Sequence, residues 1–232
     1  MSLSGPWSVD AKKTTIYFSL FFAFLISCFF LIDLFLSPKS KEFLVTCWTY
    51  FSDILINNGF LLFLAIAFLP ALILPVSPLL ALAGIWGESN GILLSSVLGT
   101  LCLITNCCWT YWMARVFGLN LINRFVVLLK RNPITIPEGS GNTNFFLWSL
   151  VLRLTPGIPF IFSNLILGAV KMPFHLYLLI SIPILTCSSF GYIYATAGLI
   201  GGDFANLGGG LAIILCFFIA GRIILKKKKN AV

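Results

Sequence analysis

Residues 144–171 read NFFLWSLVLRLTPGIPFIFSNLILGAVK. The stretch is as apolar as a membrane segment, yet it carries Arg153, Pro156, Gly157, Pro159 and Asn164. Proline removes a helical N–H, and its ring clashes with the preceding turn. An arginine at membrane depth is costly and faces protein or a water-filled cavity. Irregular backbone is tolerated inside a bilayer only where it is buried in protein or lines such a cavity. The physical reading is a broken, re-entrant helical hairpin over residues 145–170, with Arg153 near its break. The rest of the chain reads as the scaffold that holds it.

Composition agrees. Of 232 residues, 59% are hydrophobic and 9% charged, with a mean hydropathy of +1.02. Soluble domains are about 45–50% apolar and about 25% charged, so an all-α integral membrane protein is expected. The net charge of +8 sits mostly in short loops, where the positive-inside rule accounts for it better than nucleic acid does. The seven cysteines form no metal-like pair, and the chain has one histidine. The cysteines read as apolar packing, His175 as structural, and neither a metal nor another cofactor is expected. No nucleophile elbow, HExxH, Walker loop or dinucleotide fingerprint occurs, and an enzyme is not expected.

Outward from the hairpin, the chain divides into hydrophobic runs. Residues 16–36 form a first run, long enough at about 1.5 Å per residue to cross a core of about 30 Å. Residues 43–58 suit an interfacial helix or the start of a longer tilted one. Residues 59–90 are interrupted by Pro70, Pro75 and Pro78 and read as a first hairpin. Residues 91–114 form a spanning helix in which Gly91, Ser95 and Gly99 favour close packing. Trp109, Tyr111 and Trp112 would form an interface belt near its end. The first hairpin and its spanning helix together cover residues 59–118. Residues 119–143 are a basic connection, whose first part, 119–130, reads as an amphipathic surface helix. The second hairpin and its spanning helix cover 144–198. Residues 207–225 form the last span, before a KKKK tail suited to anionic headgroups.

Pro75, Pro78 and Gly87 have the same spacings as Pro156, Pro159 and Gly168. If four helices cross and each hairpin returns to its own side, the two hairpins enter from opposite faces. That is an inverted repeat, a plan found in secondary transporters with sites at the repeat interface. The alternative is two kinked spanning helices. In the inverted layout Lys12, Lys13, Arg115, Arg124, Lys130, Arg131, Lys171, Arg222 and Lys226 to Lys229 share one side with Asp10 and Glu138. The other side holds Lys39 and Lys41 with Asp33, Glu42, Asp53, Glu88 and Asp203. This asymmetry places both termini in the cytoplasm. A bacterial plasma membrane is expected from the compact chain.

Arg153 is the sharpest candidate, because a guanidinium clamps phosphate or carboxylate with paired hydrogen bonds. The alternative is a structural arginine snorkelling near the hairpin mouth. Asn164 would bind a headgroup or cap the broken helix. Ser77, Thr155 and Ser163 would line the same cavity or bond their own backbone. Pro75, Pro78, Pro156, Gly157 and Pro159 would hold the hairpins open around a polar groove. The acids Asp33, Asp53 and Glu88 do not read as lying at the midplane.

At the hairpins the sequence resembles the DedA / SNARE-associated Golgi membrane protein family, also described as VTT-domain proteins. The likeness to its bacterial branch with an RLxPxxPF hairpin lies in LRLTPGIPF at 152–160, Asn164, Gly168, Phe174, Pro183, Tyr192 and Gly198. PVSP at 75–78, Ala83, Gly84, Trp86, Gly87, Gly91, Gly99, Tyr111, Arg115 and Gly118 extend it over residues 60–200. The resemblance implies two facing re-entrant hairpins and movement or scrambling of phospholipid or polyprenyl phosphate. It also implies, for several bacterial relatives, proton dependence through acids in the first half and two arginines in the second. Arg153 fits the first arginine. Pro159 or an apolar neighbour stands at the second, and residues 59–87 hold no acid. The expected function is a transporter or scramblase of phosphate-bearing lipid. A proton- or ion-coupled small-solute carrier and a non-transporting membrane scaffold are the alternatives.

Overall fold

The computed structural model describes residues 37–72, 74–128, 146, 149–150, 152–153 and 160–229, with only the backbone described for 119–128, 217–218 and 220–229. The expected first span, residues 16–36, lies outside the described residues. The chain divides into two compact units, Met1–Phe51 and Ser52–Val232. Helix α1, Pro38–Asn57, runs across that boundary. Its residues in the first unit expose Phe43, Leu44, Val45, Trp48 and Tyr50.

In the second unit the described elements are all helical. They are α2 (Gly59–Phe68), a single 3-10 turn (Leu69–Leu72), α3 (Val76–Asn90), α4 (Ile92–Leu128), α5 (Phe160–Ala169), α6 (Phe174–Gly201) and α7 (Phe204–Lys229). Two stretches are long and apolar enough to cross a membrane, Ile92–Gly118 and Phe174–Gly201, and a third would be counted if the bent pair Pro38–Asn57 and Gly59–Leu72 forms one span. Exposed Leu, Phe, Ile and Val side chains along α2, α4, α6 and α7 would be unfavourable against water but suit hydrocarbon.

Where the sequence reading ends a spanning helix at 114, α4 continues to Leu128. The first proline after it is Pro133, and Gly118 is held by packing, since a Cβ there would lie 2.9 Å from the Ala169 Cβ. The aromatic belt also differs. Trp112 is 49% exposed, but Tyr111 is fully buried, and Trp109 donates its Nε1–H to the Ala67 carbonyl at 3.0 Å.

The chain between α2 and α3 breaks where the prolines require it. Pro70 is buried within the 3-10 turn, and Pro75 is the N-cap of α3. A helix broken in an apolar setting leaves carbonyls that need donors. Asn106 Nδ2 supplies one to the Ala67 carbonyl at 2.7 Å, beside the Trp109 bond. Beyond the break the chain returns on itself. The Phe63 and Trp86 rings meet edge to face at 5.2 Å, and a Cβ on Gly59 would lie 2.8 Å from the Trp86 ring. The start of α2 therefore lies beside the end of α3. At 10 and 15 residues, these arms are about 15 and 22 Å long, each shorter than a bilayer core.

Lipid is as apolar as a leucine side chain, so burial alone does not hold membrane helices together. Close approach of backbones and interhelical hydrogen bonds do more of it. Both are present here. Gly84 faces Thr196 and Ile193 of α6, Gly87 faces Ser95 of α4, and Gly191 and Gly210 let α6 and α7 touch. Ser95 donates to the Ala83 carbonyl. The buried apolar core around these contacts includes Leu62, Ile66, Leu103, Met172 and Ile193.

Candidate functional site

A cavity of about 510 Å³ lies among α3, α4, α5 and α6, lined by Leu74, Pro75, Val76, Ser77, Leu80, Leu103, Arg153, Phe160, Ile161, Ser163, Ile184, Leu185, Ser188 and Tyr192. This is within the size range of small-molecule sites, about 300–1,000 Å³. Most of the lining is apolar. Among the described residues, its only charged lining side chain is Arg153, with hydroxyls from Ser77, Ser163, Ser188 and Tyr192 around the same space.

Two helix N-termini open on this cavity. Pro75, Val76 and Ser77 are the N-cap and first residues of α3. Phe160 and Ile161 begin α5. The two helices then run in opposite directions along α4. Gly87, near the end of α3, packs on Ser95, whereas Gly168, near the end of α5, packs on Tyr111 and Ala114. Two half-helices leaving one cavity in opposite directions place both positive dipole ends at it, each equivalent to roughly half a unit charge. No side chain caps α3 at Pro75, so the N–H groups of its first turn lack that partner. Pro78, in the same turn, has no N–H to offer.

Arg153 is held from behind by a buried network. Its Nη2 donates to Asn164 Oδ1 at 3.1 Å, and its guanidinium carbon lies 5.1 Å from the centre of the Tyr177 ring. Tyr177 donates its hydroxyl to Asn164 Oδ1 at 2.9 Å and also lies 3.1 Å from the Cys107 carbonyl. The Cys107 thiol lies 3.5 Å from the same amide oxygen. Asn164 Nδ2 donates to Thr110 Oγ1 at 3.1 Å. Asn164 and Tyr177 are fully buried. Among the described residues Arg153 Nε has no hydrogen-bond partner although it is buried.

The structure thus brings Arg153, Pro75 and Ser77 together at one cavity, with Asn164 directly behind the arginine. Asn164 does not line the cavity; it orients Arg153. Pro78 sits in the first turn of α3 but is not part of the lining. Ser163 lines the cavity and also donates to the Leu152 carbonyl at 3.4 Å. Thr155, Pro156, Gly157 and Pro159 lie outside the described residues. The sequence reading passed over Thr110, Tyr177 and Ser188, and took Cys107 only as apolar packing. Each is a small or polar residue on an apolar helix, and none has a motif around it. A polar tally of the faces of α4 and α6 would have raised Thr110 and Tyr177 as candidates, without saying which partner they met. Among the described residues no cluster of His, Cys, Asp or Glu could hold a metal ion.

The fold and site define a helical membrane protein whose apolar helices, one pair of them broken before α3, surround a cavity with a cation in its lining. A family model, the VTT domain, matches residues 74–199. That is more than half of the chain, and the chain belongs to the VTT-domain family. The matched stretch begins at the break before α3 and ends in α6, so it contains every residue that lines the cavity. Compared with the chain, no curated protein and no solved structure matches.

Proposed function

We propose that this protein moves a phosphate-bearing amphiphile, a phospholipid or polyprenyl phosphate, from one face of the bilayer to the other. The observation that carries the reading is the joining of Arg153 and two opposed half-helix N-termini at a cavity otherwise lined by hydrocarbon. An anionic headgroup would take the donors, as helix N-termini take phosphate elsewhere. The apolar lining suits chain atoms better than it suits a polar solute. Arg153 would clamp the phosphate, with Asn164 and Tyr177 fixing the plane of the guanidinium. Opposite orientation of α3 and α5 supports an inverted pair of re-entrant hairpins. Membership of the VTT-domain family and the apolar helices support a general role in membrane transport or scrambling. On this reading the protein is a transporter and not an enzyme. It lies in a bacterial plasma membrane with both termini cytoplasmic.

One observation favours a second reading. The bond from Arg153 to the Asn164 carbonyl oxygen is what a structural arginine in a non-transporting scaffold would make. Reconstitution separates the two. Full-length protein in proteoliposomes is compared with protein-free vesicles and with Arg153→Ala at equal folded yield, using fluorescent phospholipid and a polyprenyl-phosphate analogue. Transbilayer movement by the wild type should fall at least tenfold in the variant, since a charge-assisted hydrogen bond is worth about 1.5–3 kcal/mol. Folded wild type that moves neither lipid, with or without a pH gradient, would refute the proposal for these substrates.

A further inference from the structure

Two further cations, Arg115 and Lys171, lie away from the cavity, at the turn where α5 passes into α6. The turn closes α5 with two reversed hydrogen bonds, Lys171 N to the Gly168 carbonyl at 2.9 Å and Met172 N to the Leu167 carbonyl at 3.2 Å. This pattern places the residue after the helix end in the left-handed region, where glycine is usual. Here that residue is Lys171, with φ 54°, the only non-glycine residue with positive φ among those described. Lys171 is exposed. The neighbouring Met172 carbonyl accepts from Arg115 Nη1 at 3.0 Å. Arg115 Nη1 also donates to the Tyr111 hydroxyl, which itself donates to the Met172 carbonyl. The Arg115 guanidinium carbon lies 5.6 Å from the Trp112 ring centre and 5.8 Å from that of Tyr111. Phe174 closes the group, 5.5 Å from Trp112.

Arg115 is therefore bonded to the carbonyl of the residue that follows Lys171. A guanidinium has five N–H donors, more than these two acceptors use. Among the described residues no carboxylate pairs with either cation, and Glu88 and Asp203 sit at the far end of α6, around Gly201. Trp112, half exposed beside Arg115, is the amphipathic ring that settles at headgroup level.

We infer that Arg115 and Lys171, flanked by Trp112, form a surface site for the headgroup of an anionic membrane lipid. The site is separate from the cavity and does not depend on the lipid-moving role proposed for Arg153. A lipid is favoured over free phosphate because the cations are framed by an exposed aromatic ring and by the apolar faces of α4 and α6. Those surfaces would hold the chains of the same molecule.

Lys171 supplies an unusual test. Lys171→Gly removes the cation and at the same time places the preferred residue at a left-handed position, so the fold should gain stability. The assay is native mass spectrometry of the purified full-length protein, with phosphatidylglycerol and phosphatidylcholine of identical chains. The wild type should retain the anionic lipid preferentially. Lys171→Gly should reduce that preference about fivefold, the value of one cation near an anionic headgroup. Arg115→Gln should reduce it further. Unchanged selectivity in a Lys171→Gly protein of equal or higher Tm would overturn the inference. So would displacement of the bound lipid by millimolar inorganic phosphate alone, which would mark a free-phosphate site.

Discussion

Gly168→Ala should destabilise the protein and weaken the site at once. A Cβ at Gly168 would fall well inside contact distance of the Tyr111 carbonyl oxygen and lie 2.9 Å from the Ala114 Cβ and 3.2 Å from the Tyr111 carbonyl carbon. Carbon atoms pack best at about 3.5–4.0 Å. The obstructing atoms are backbone of α4 and a methyl on it, neither of which can rotate away. Helix α5 must therefore retreat by about 1 Å. Such overpacking costs about 1–3 kcal/mol, and this contact belongs near the top of that range. Replacing glycine by alanine within a helix returns about 1 kcal/mol, leaving a net loss of about 1–2 kcal/mol. Gly208, on α7, is the matched control, because a Cβ there meets nothing within 4 Å. Gly208→Ala should be neutral or should raise Tm. The retreat of α5 also carries Asn164, one turn earlier on the same helix, away from Thr110 on α4. The 3.1 Å bond between them would lengthen beyond hydrogen-bond range, and Arg153 would lose its fixed orientation. Thermal unfolding of both variants in the same detergent, followed by the lipid-movement assay, tests the chain of reasoning. A Gly168→Ala protein as stable as Gly208→Ala would show that α5 does not press on α4 as described. A destabilised variant with unchanged lipid movement would show that Asn164 does not position Arg153.

Two further perturbations separate fold from site. Tyr177→Phe keeps the ring under Arg153 but removes the hydroxyl shared between Asn164 and the Cys107 carbonyl. It should cost about 1 kcal/mol of stability and slow lipid movement severalfold, whereas an unchanged rate would place Tyr177 outside the positioning network. Asp203→Ala removes the side chain that accepts from Ala205 N at 2.9 Å and Asn206 N at 3.3 Å at the start of α7. It should lower stability by about 0.5–2 kcal/mol and leave lipid movement unchanged when measured on folded protein.

The legible part of the site was the part written into the chain locally. Arg153 stood out because a cation in an apolar run needs a reason, and Pro75 because a proline in such a run needs a break. Ser77 followed as a hydroxyl beside that proline. Asn164 was legible as a polar residue but not in its role. Only the packing of α5 on α4 and α6 turns it away from the cavity and sets Cys107, Thr110 and Tyr177 around it. Those three lie 57, 54 and 13 residues away in sequence, and no local pattern encodes such pairings. Tyr111 failed as an interface residue for the same reason. Aromatic residues at the end of a span read as a belt, but Tyr111 faces Tyr177 with ring centres 4.5 Å apart, inside the protein.

The sequence by itself determined the solvent and the break before α3. Hydropathy sums over a segment, and a missing N–H is a property of one residue, so neither depends on what lies across the fold. The cationic cavity was decided by tertiary structure. Helix dipoles add only when separate half-helices point their N-termini at one place. Whether they do depends on where glycines such as Gly87 and Gly168 let α3 and α5 settle along α4.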